Sequence, residues 1–135
     1  MLLENKHIFL VEDDPTNLAV IRIILKKHGA SVPMVNWADT GLTRISSYPF
    51  AIDLFILDLM FPGKQTGYDV YDSLQANSNL KGIPAVIVSA ADPDIEIPRA
   101  RERGLQGFIS KPVNRYRFPD QIKTILDGEK IWDDH

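Results

Sequence analysis

The chain has 135 residues, no cysteine and a formal net charge of -3 at pH 7, with 44% hydrophobic and 24% charged residues. This composition fits one globular domain over residues 1–135, excludes disulfides and thiolate metal sites, and argues against nucleic acid as a direct partner. No apolar stretch is long enough for a membrane span and Met1–Lys6 does not resemble a signal peptide, so we expect a cytoplasmic protein without membrane contact.

The first half of the chain alternates apolar runs with helical patterns. Short, continuous apolar runs predict strands buried on both faces of a parallel sheet. Asp14 followed by Pro15 predicts a helix start, because a capping carboxylate precedes a proline at the first helical position. Gly29 ends the apolar stripe of that helix, and Asp39 can cap a second, short one. The strands predicted in this half are His7–Val11, Ala30–Val35 and the run from Ile52 that ends at Asp58.

The second half repeats this alternation and ends in a polar tail. Gly67 opens a third helix, and Asp92-Pro93 opens a fourth that ends at Gly104. Pro98 is expected only in or near the first turn of that helix, since proline deeper inside removes a backbone hydrogen bond. From Gly128 onward we expect a frayed tail, which leaves a core of about residues 6–127. The remaining predicted elements are the strands Ile83–Val88 and Gly107–Ser110 and a last helix from about Pro119 to Asp127.

Five alternations of strand and helix predict a doubly wound α/β fold with a parallel sheet. The carboxyl ends of parallel strands lie at one edge of the sheet, where such folds bind ligands. Carboxylates gathered there repel one another, and a hard divalent cation such as Mg²⁺ relieves that repulsion. An ammonium and a hydroxyl beside a carboxylate can stabilise a phosphoryl group arriving on it. The polar residues at the strand ends are Glu12, Asp13, Asp58, Ser89 and Lys111.

The motifs at the strand ends resemble the receiver domain of two-component response regulators, of the chemotaxis-regulator type. The motifs are Val11–Pro15 after the first strand, Leu57–Gly63 after the third, Ser89-Ala90 after the fourth and Phe108–Pro112 at the fifth. The resemblance covers about Lys6 to Asp127. It implies a flavodoxin-like sheet of five strands in the order 2-1-3-4-5, with helices on both faces.

The resemblance also implies the chemistry of the site. Asp58 would be the phosphoacceptor, which takes a phosphoryl group from a phosphohistidine on a sensor histidine kinase or a phosphotransfer protein. Asp13 and Asp58 would bind Mg²⁺ directly, Glu12 would act mainly through water, and the backbone carbonyl of Met60 would be a further ligand. Lys111 would pair with the phosphate, and the peptide bond between Lys111 and Pro112 is usually cis in this family.

A switch is implied by the same resemblance. Ser89 would be the hydroxyl that moves toward the phosphoryl oxygen, and Phe108 the aromatic residue that swings inward behind it. Their movement would alter a face that binds a downstream protein target, and homodimerisation on phosphorylation is left open. Ser89 stands where threonine is commoner, and Phe108 where tyrosine is commoner.

Two alternatives remain beside a stand-alone receiver. The chain can be a receiver cut from a larger regulator or a hybrid kinase. A different class is a Mg²⁺-dependent phosphatase of the haloacid dehalogenase type, which also uses an aspartate at a strand end. Those enzymes need a second aspartate two residues after the first, and Met60 occupies that position. We therefore expect no enzyme, but a phosphoacceptor with self-dephosphorylation at most.

Overall fold

The computed structural model describes residues 1–37, 40–59 and 65–133. Within these residues strands and helices alternate along most of the chain, as the apolar runs and the helix-start residues predict. The elements are β1 (Ile8–Val11), α1 (Pro15–Lys27), β2 (Met34–Val35), α2 (Gly41–Ser46), β3 (Leu54–Leu57), α3 (Gly67–Gln75), β4 (Ala85–Ser89), α4 (Pro93–Arg103), β5 (Gly107–Ser110), α5 (Phe118–Leu126) and β6 (Ile131–Asp133).

A parallel sheet with the strand order β2-β1-β3-β4-β5-β6 forms the centre of the described part of the molecule. Residues of β1, β3, β4 and β5 are buried throughout, because helices cover both faces. Alternate strand residues enter separate cores, as the two-residue period requires. Phe9 and Phe55 face α2, α3 and α4, whereas Leu10 and Ile56 face α1 and α5. The predicted doubly wound, flavodoxin-like α/β architecture is confirmed.

The predicted count of five strands is wrong, because residues 131–133 form a sixth. β6 pairs in parallel with β5, with Trp132 opposite Phe108, so the tail is ordered and not frayed as far as Asp133. Ile131 and Trp132 each pack against one of the two cores. Gly128 turns the chain back with a φ of 96°, a left-handed conformation that glycine adopts without strain. A three-residue strand is too short to give a periodic signal in the sequence.

The helices α1 and α4 start at the predicted Asp-Pro signals, and Asp92 caps α4 with its Oδ1, which accepts from Asp94 N–H at 3.0 Å. Asp14 caps α1, its Oδ1 accepting from Thr16 N–H at 2.9 Å. Thr66 and Asp69 form a reciprocal capping box at the start of α3. The predicted cap of α2, Asp39, lies outside the described residues.

Pro98 lies deeper in its helix than predicted. α4 begins at Pro93, so Pro98 is its sixth residue and falls beyond the first turn. Its missing N–H leaves the carbonyl of Asp94 without the usual helical donor. Both residues are exposed, so water can replace that donor.

Candidate functional site

Three charged side chains meet at the carboxyl edge of the sheet. Val11 of β1 and Leu57 of β3 pair in register, which places Glu12 and Asp58 side by side where both strands end. Lys111 follows β5 and reaches across: its Nζ lies 3.0 Å from Glu12 Oε2 and 3.1 Å from Asp58 Oδ2. The three side chains are only 2%, 9% and 11% exposed for Glu12, Asp58 and Lys111. A buried ammonium thus bridges two buried carboxylates.

Burial raises the pKa of Glu12 from 4.5 to about 6, and the negative charge of Asp58 adds to the increase. The hydrogen bond and the charge of Lys111 act in the opposite direction, as does the N–H of Asp14, which donates to Glu12 Oε1 at 3.1 Å. Glu12 therefore stays ionised at neutral pH, although the surrounding protein disfavours its charge.

Asp13 has one oxygen that fits a cation. Its Oδ1 is buried and has no hydrogen-bond partner within the described part of the chain. Burial raises the pKa of Asp13, the charge of Asp58 raises it further, and a hydrogen bond from the backbone of Trp37 lowers it. A buried, unpaired carboxylate oxygen beside two further acids is the environment that a hard cation stabilises.

The expected metal ligands are only partly described. Met60, predicted to contribute its backbone carbonyl, lies outside the described residues. Within residues 1–37, 40–59 and 65–133, no group of three acidic, histidine or cysteine side chains could hold a metal ion by itself. Mg²⁺ commonly binds one or two carboxylates and keeps several water ligands, and Asp13 and Asp58 can supply those carboxylates.

A surface pocket of about 370 Å³ opens over these acids. Asn17 lines it one helical turn after Asp14, and its Nδ2 donates to Asp14 Oδ2 at 3.1 Å. Asn17 was not among the predicted site residues, and its spacing of three positions from Asp14 is the signal that could have indicated it. The pocket residues are Glu12, Asp13, Asp14, Asn17, Asp58, Ala90 and Lys111.

The predicted switch residues, Ser89 and Phe108, are both buried, and neither lines this pocket. Ser89 ends β4 and is fully buried, and its Oγ accepts from Ala91 N–H at 3.1 Å. Phe108 is also fully buried and faces the core shared by α2, α3 and α4. The peptide bond between Lys111 and Pro112 is cis, as the resemblance implies. The roles of Ser89 and Phe108 stay predictions.

Gly67 lies directly against the backbone of Asp58. A Cβ atom at this position would lie 2.1 Å from the backbone oxygen of Asp58, so only glycine lets α3 begin so close to the end of β3. The N–H of Gly67 also donates to the carbonyl of Leu59 at 3.1 Å. Gly67 was predicted only as a helix start, because its close approach to Asp58 joins residues that are nine positions apart in the sequence.

Comparison with known proteins decides the family. The family model described as the response regulator receiver domain matches residues 8–123. The chain belongs to this family. It is therefore a receiver domain of two-component signalling, and the match favours this function over a haloacid-dehalogenase-type phosphatase.

Relatives of the receiver domain occur in plants and bacteria. It is 33% identical over 107 residues to the two-component response regulator ORR5 of Oryza sativa, covering 79% of this chain and 78% of that protein. It is 30% identical over 121 residues to the DNA-binding response regulator MtrA of Mycolicibacterium smegmatis, covering 90% of this chain and 50% of that protein. The receiver thus spans most of one relative and half of the other.

Solved structures agree with this assignment. The signal receiver domain of a histidine kinase from Syntrophus aciditrophicus matches with a TM-score of 0.76 at 26% identity, covering 91% of each chain. The chemotaxis protein CheY4 of Vibrio cholerae has a TM-score of 0.78 at 17% identity, which shows the fold alone; the match covers 89% of this chain and 98% of that one. Receiver domains generally depend on Mg²⁺ and interact with histidine kinases and downstream effectors. Among the described helices of this receiver, none is long and apolar enough to cross a membrane.

Proposed function

We propose that this receiver accepts a phosphoryl group on Asp58 from a phosphohistidine of a sensor histidine kinase or a phosphotransfer protein. The reaction depends on Mg²⁺, and the product is a signal, not a released metabolite. The observation that carries the proposal is the buried contact of Lys111 with both Glu12 and Asp58 at the floor of an acidic pocket. A lysine held there balances the carboxylates and remains available to a phosphoryl oxygen.

The chain's own groups suit Asp58 to nucleophilic attack. The N–H of Leu59 donates to Asp58 Oδ1 at 2.7 Å, which fixes the plane of the carboxylate. A carboxylate oxygen forms the new bond to phosphorus while the bond from phosphorus to the donor imidazole nitrogen breaks, and the imidazole leaves with the electron pair. Lys111 exchanges its contact with Asp58 for one with the phosphoryl oxygen.

Asp13, Asp58 and, through water, Glu12 are the described residues that would hold Mg²⁺. When bound, the cation neutralises the negative charge that collects on the carboxylates and the phosphoryl oxygens. The unpaired Oδ1 of Asp13 supports this assignment. Family resemblance adds the backbone carbonyl of Met60.

Ser89 and Phe108 are the proposed route from the site to a downstream protein target. Ser89 Oγ now accepts from Ala91 N–H, and it would leave this contact to bond the phosphoryl oxygen. Phe108 lies two residues before Ser110, the β5 residue that pairs with Ser89. We place this switch in the cytoplasm. Because the chain spans half of MtrA, a receiver within a larger regulator or a hybrid kinase remains the second candidate.

Intact-mass spectrometry after incubation with acetyl phosphate tests the phosphoacceptor function. We expect the wild-type chain to gain one phosphoryl group only when Mg²⁺ is present, and Asp58→Asn to gain none. Asp53→Asn is the matched control, because Asp53 accepts from His7 N–H before β3 begins, at the other end of the strands. A folded wild-type chain that gains no phosphoryl group in the presence of Mg²⁺ would contradict the proposal.

A further inference from the structure

Trp37 lies beside Asp13 because β1 and β2 run in register. Val11 pairs with Val35, and the N–H of Glu12 donates to the Val35 carbonyl at 3.4 Å. Parallel strands leave the sheet in the same direction, so the residues that follow this last contact, Asp13 and Trp37, come off the edge side by side. The backbone N–H of Trp37 donates to the Asp13 carboxylate.

The two carboxylate oxygens of Asp13 have different surroundings. Oδ1 is buried and has no hydrogen-bond partner within residues 1–37, 40–59 and 65–133, so the Trp37 N–H donates to the other oxygen. One oxygen is therefore tied to the backbone, and the second is left for a cation. A metal-binding carboxylate that is held by such an outer hydrogen bond has less freedom to lose when the metal binds.

The indole ring of Trp37 packs against Gly41, the first residue of α2. A Cβ atom at Gly41 would lie 2.8 Å from Cε3, 3.2 Å from Cδ2 and 3.4 Å from Cζ3, which are all atoms of the six-membered ring of the indole. Two carbon atoms attract each other best at about 3.5–4.0 Å, so any side chain at position 41 would displace the ring.

The ring contact explains why α2 begins with glycine. Gly41 does not have a left-handed φ, unlike Gly29 or Gly104, so the backbone itself would accept alanine. Alanine would also stabilise the helix relative to glycine. Trp37 is half-buried and packs against the core shared by α2, α3 and α4, and Gly41 leaves the space that its ring occupies.

We propose that Trp37 is a positioning residue for the cation of the acidic pocket. Its ring, fixed against Gly41, holds its N–H on one oxygen of Asp13, and Oδ1 is thereby oriented to bind Mg²⁺. The inference rests on the proposed function, because it takes Asp13 as a Mg²⁺ ligand. Through this contact α2 contributes to the site, although none of its residues, Gly41–Ser46, lines the pocket.

Calorimetric titration of the full chain with Mg²⁺, without any phosphoryl donor, tests this role. Gly41→Ala places a methyl group against the ring, and we expect it to bind Mg²⁺ about tenfold more weakly than wild type, since outer partners of metal ligands strongly affect metal affinity. Thr43→Ala is the matched control, because Thr43 is exposed on the same helix and its loss should leave the affinity unchanged. Equal affinities of Gly41→Ala and wild type would overturn the proposal.

A double-mutant cycle shows whether the loss acts through the ring. Trp37→Ala alone should weaken Mg²⁺ binding about tenfold, and adding Gly41→Ala should cause no further loss, because the ring that the methyl group meets is gone. Trp37→Phe keeps an aromatic ring beside Gly41 and should retain the affinity within about threefold. A further tenfold loss in the double variant would mean that Gly41 acts without the ring, and the proposal would be wrong.

Urea unfolding without divalent ions separates positioning from packing. A ring that only fills the core would lower the stability when it is removed, but would leave the Mg²⁺ affinity of the folded chain unchanged; we expect Trp37→Ala to lower both. A less stable Trp37→Ala chain that binds Mg²⁺ as wild type does would contradict this inference alone. A folded wild-type chain that binds no Mg²⁺ would contradict the proposed function as well.

Discussion

Lys111 is the residue on which the charge balance of the site depends. It is the described cation that contacts both Glu12 and Asp58, and all three side chains are largely withdrawn from water. Removing one member of a buried charge cluster leaves the remaining charges uncompensated, so the loss exceeds that of an exposed pair.

Lys111→Met should therefore raise the pKa of Glu12 above its wild-type value of about 6, and should slow phosphoryl uptake from acetyl phosphate by at least about tenfold. NMR titration of the glutamate side chain and intact-mass time courses measure the two effects. Lys123→Met is the control, because Lys123 pairs with Asp127 at an exposed position on α5. Unchanged uptake in Lys111→Met would show that this lysine does not act on the phosphoryl group.

Glu12 makes stability depend on pH in a direction opposite to that of a salt-bridged surface acid. Its pKa is raised from 4.5 to about 6 in the folded chain, so between these values the folded state binds more protons than the unfolded state. The contribution of Glu12 to the free energy of unfolding is therefore greatest below pH 4.5. This contribution falls by about 2 kcal/mol as the pH rises through 6. Urea unfolding without divalent ions, at several pH values, measures the change.

Glu12→Gln removes this titration and should flatten the stability profile between pH 4.5 and about 6 relative to wild type. A variant profile that falls as steeply as the wild-type profile would assign the pH dependence to other groups.

At the scale of elements, α3 carries a start signal that α2 lacks. Thr66 and Asp69 cap α3 reciprocally, whereas Thr40, at the corresponding position of α2, makes no side-chain capping bond. Thr66→Ala should lower the free energy of unfolding by about 1 kcal/mol, and Thr40→Ala should change it by only a few tenths of that amount. Urea unfolding of both variants provides the comparison; equal losses would mean that the capping box contributes nothing specific.

At the scale of the whole molecule, Mg²⁺ should act as a stabilising ligand, because the folded chain gathers acids that the unfolded chain leaves apart. At a free Mg²⁺ concentration about 100 times its dissociation constant, the free energy of unfolding should rise by about 3 kcal/mol. Asp13→Asn should abolish most of this gain, and Asp53→Asn should retain it. The midpoint of thermal unfolding with and without Mg²⁺ measures both, and a full gain in Asp13→Asn would exclude Asp13 as a ligand.

Sequence patterns predicted those helices and strands that are long or that have clear start and stop residues. The buried runs ending at Val11 and Asp58 and the Asp14-Pro15 start needed only local information. β6 and the helical position of Pro98 did not follow, since the first depends on pairing with β5 and the second on solvent exposure.

The candidate site, too, was predictable from the sequence only in part. The placement of Glu12, Asp58 and Lys111 at one edge follows from parallel strands, and this much was predictable. The bridging contact of Lys111, the unpaired Oδ1 of Asp13 and the close approach of Gly67 arise from tertiary packing, which a single sequence does not display. Phosphorylation of Asp58 and the switching roles of Ser89 and Phe108 stay predictions.

The strand order also affects how the receiver can fold while it is being synthesised. After β1 is flanked by β2 and β3, each later strand joins the sheet beside the strand that precedes it in the chain. Among the strands that the structure describes, none has to be inserted between two that have already paired, so the sheet can grow outward in the order in which the ribosome delivers its strands. The edge of β5 is then the last to be closed, and until residues 131–133 emerge it is open to any strand within reach.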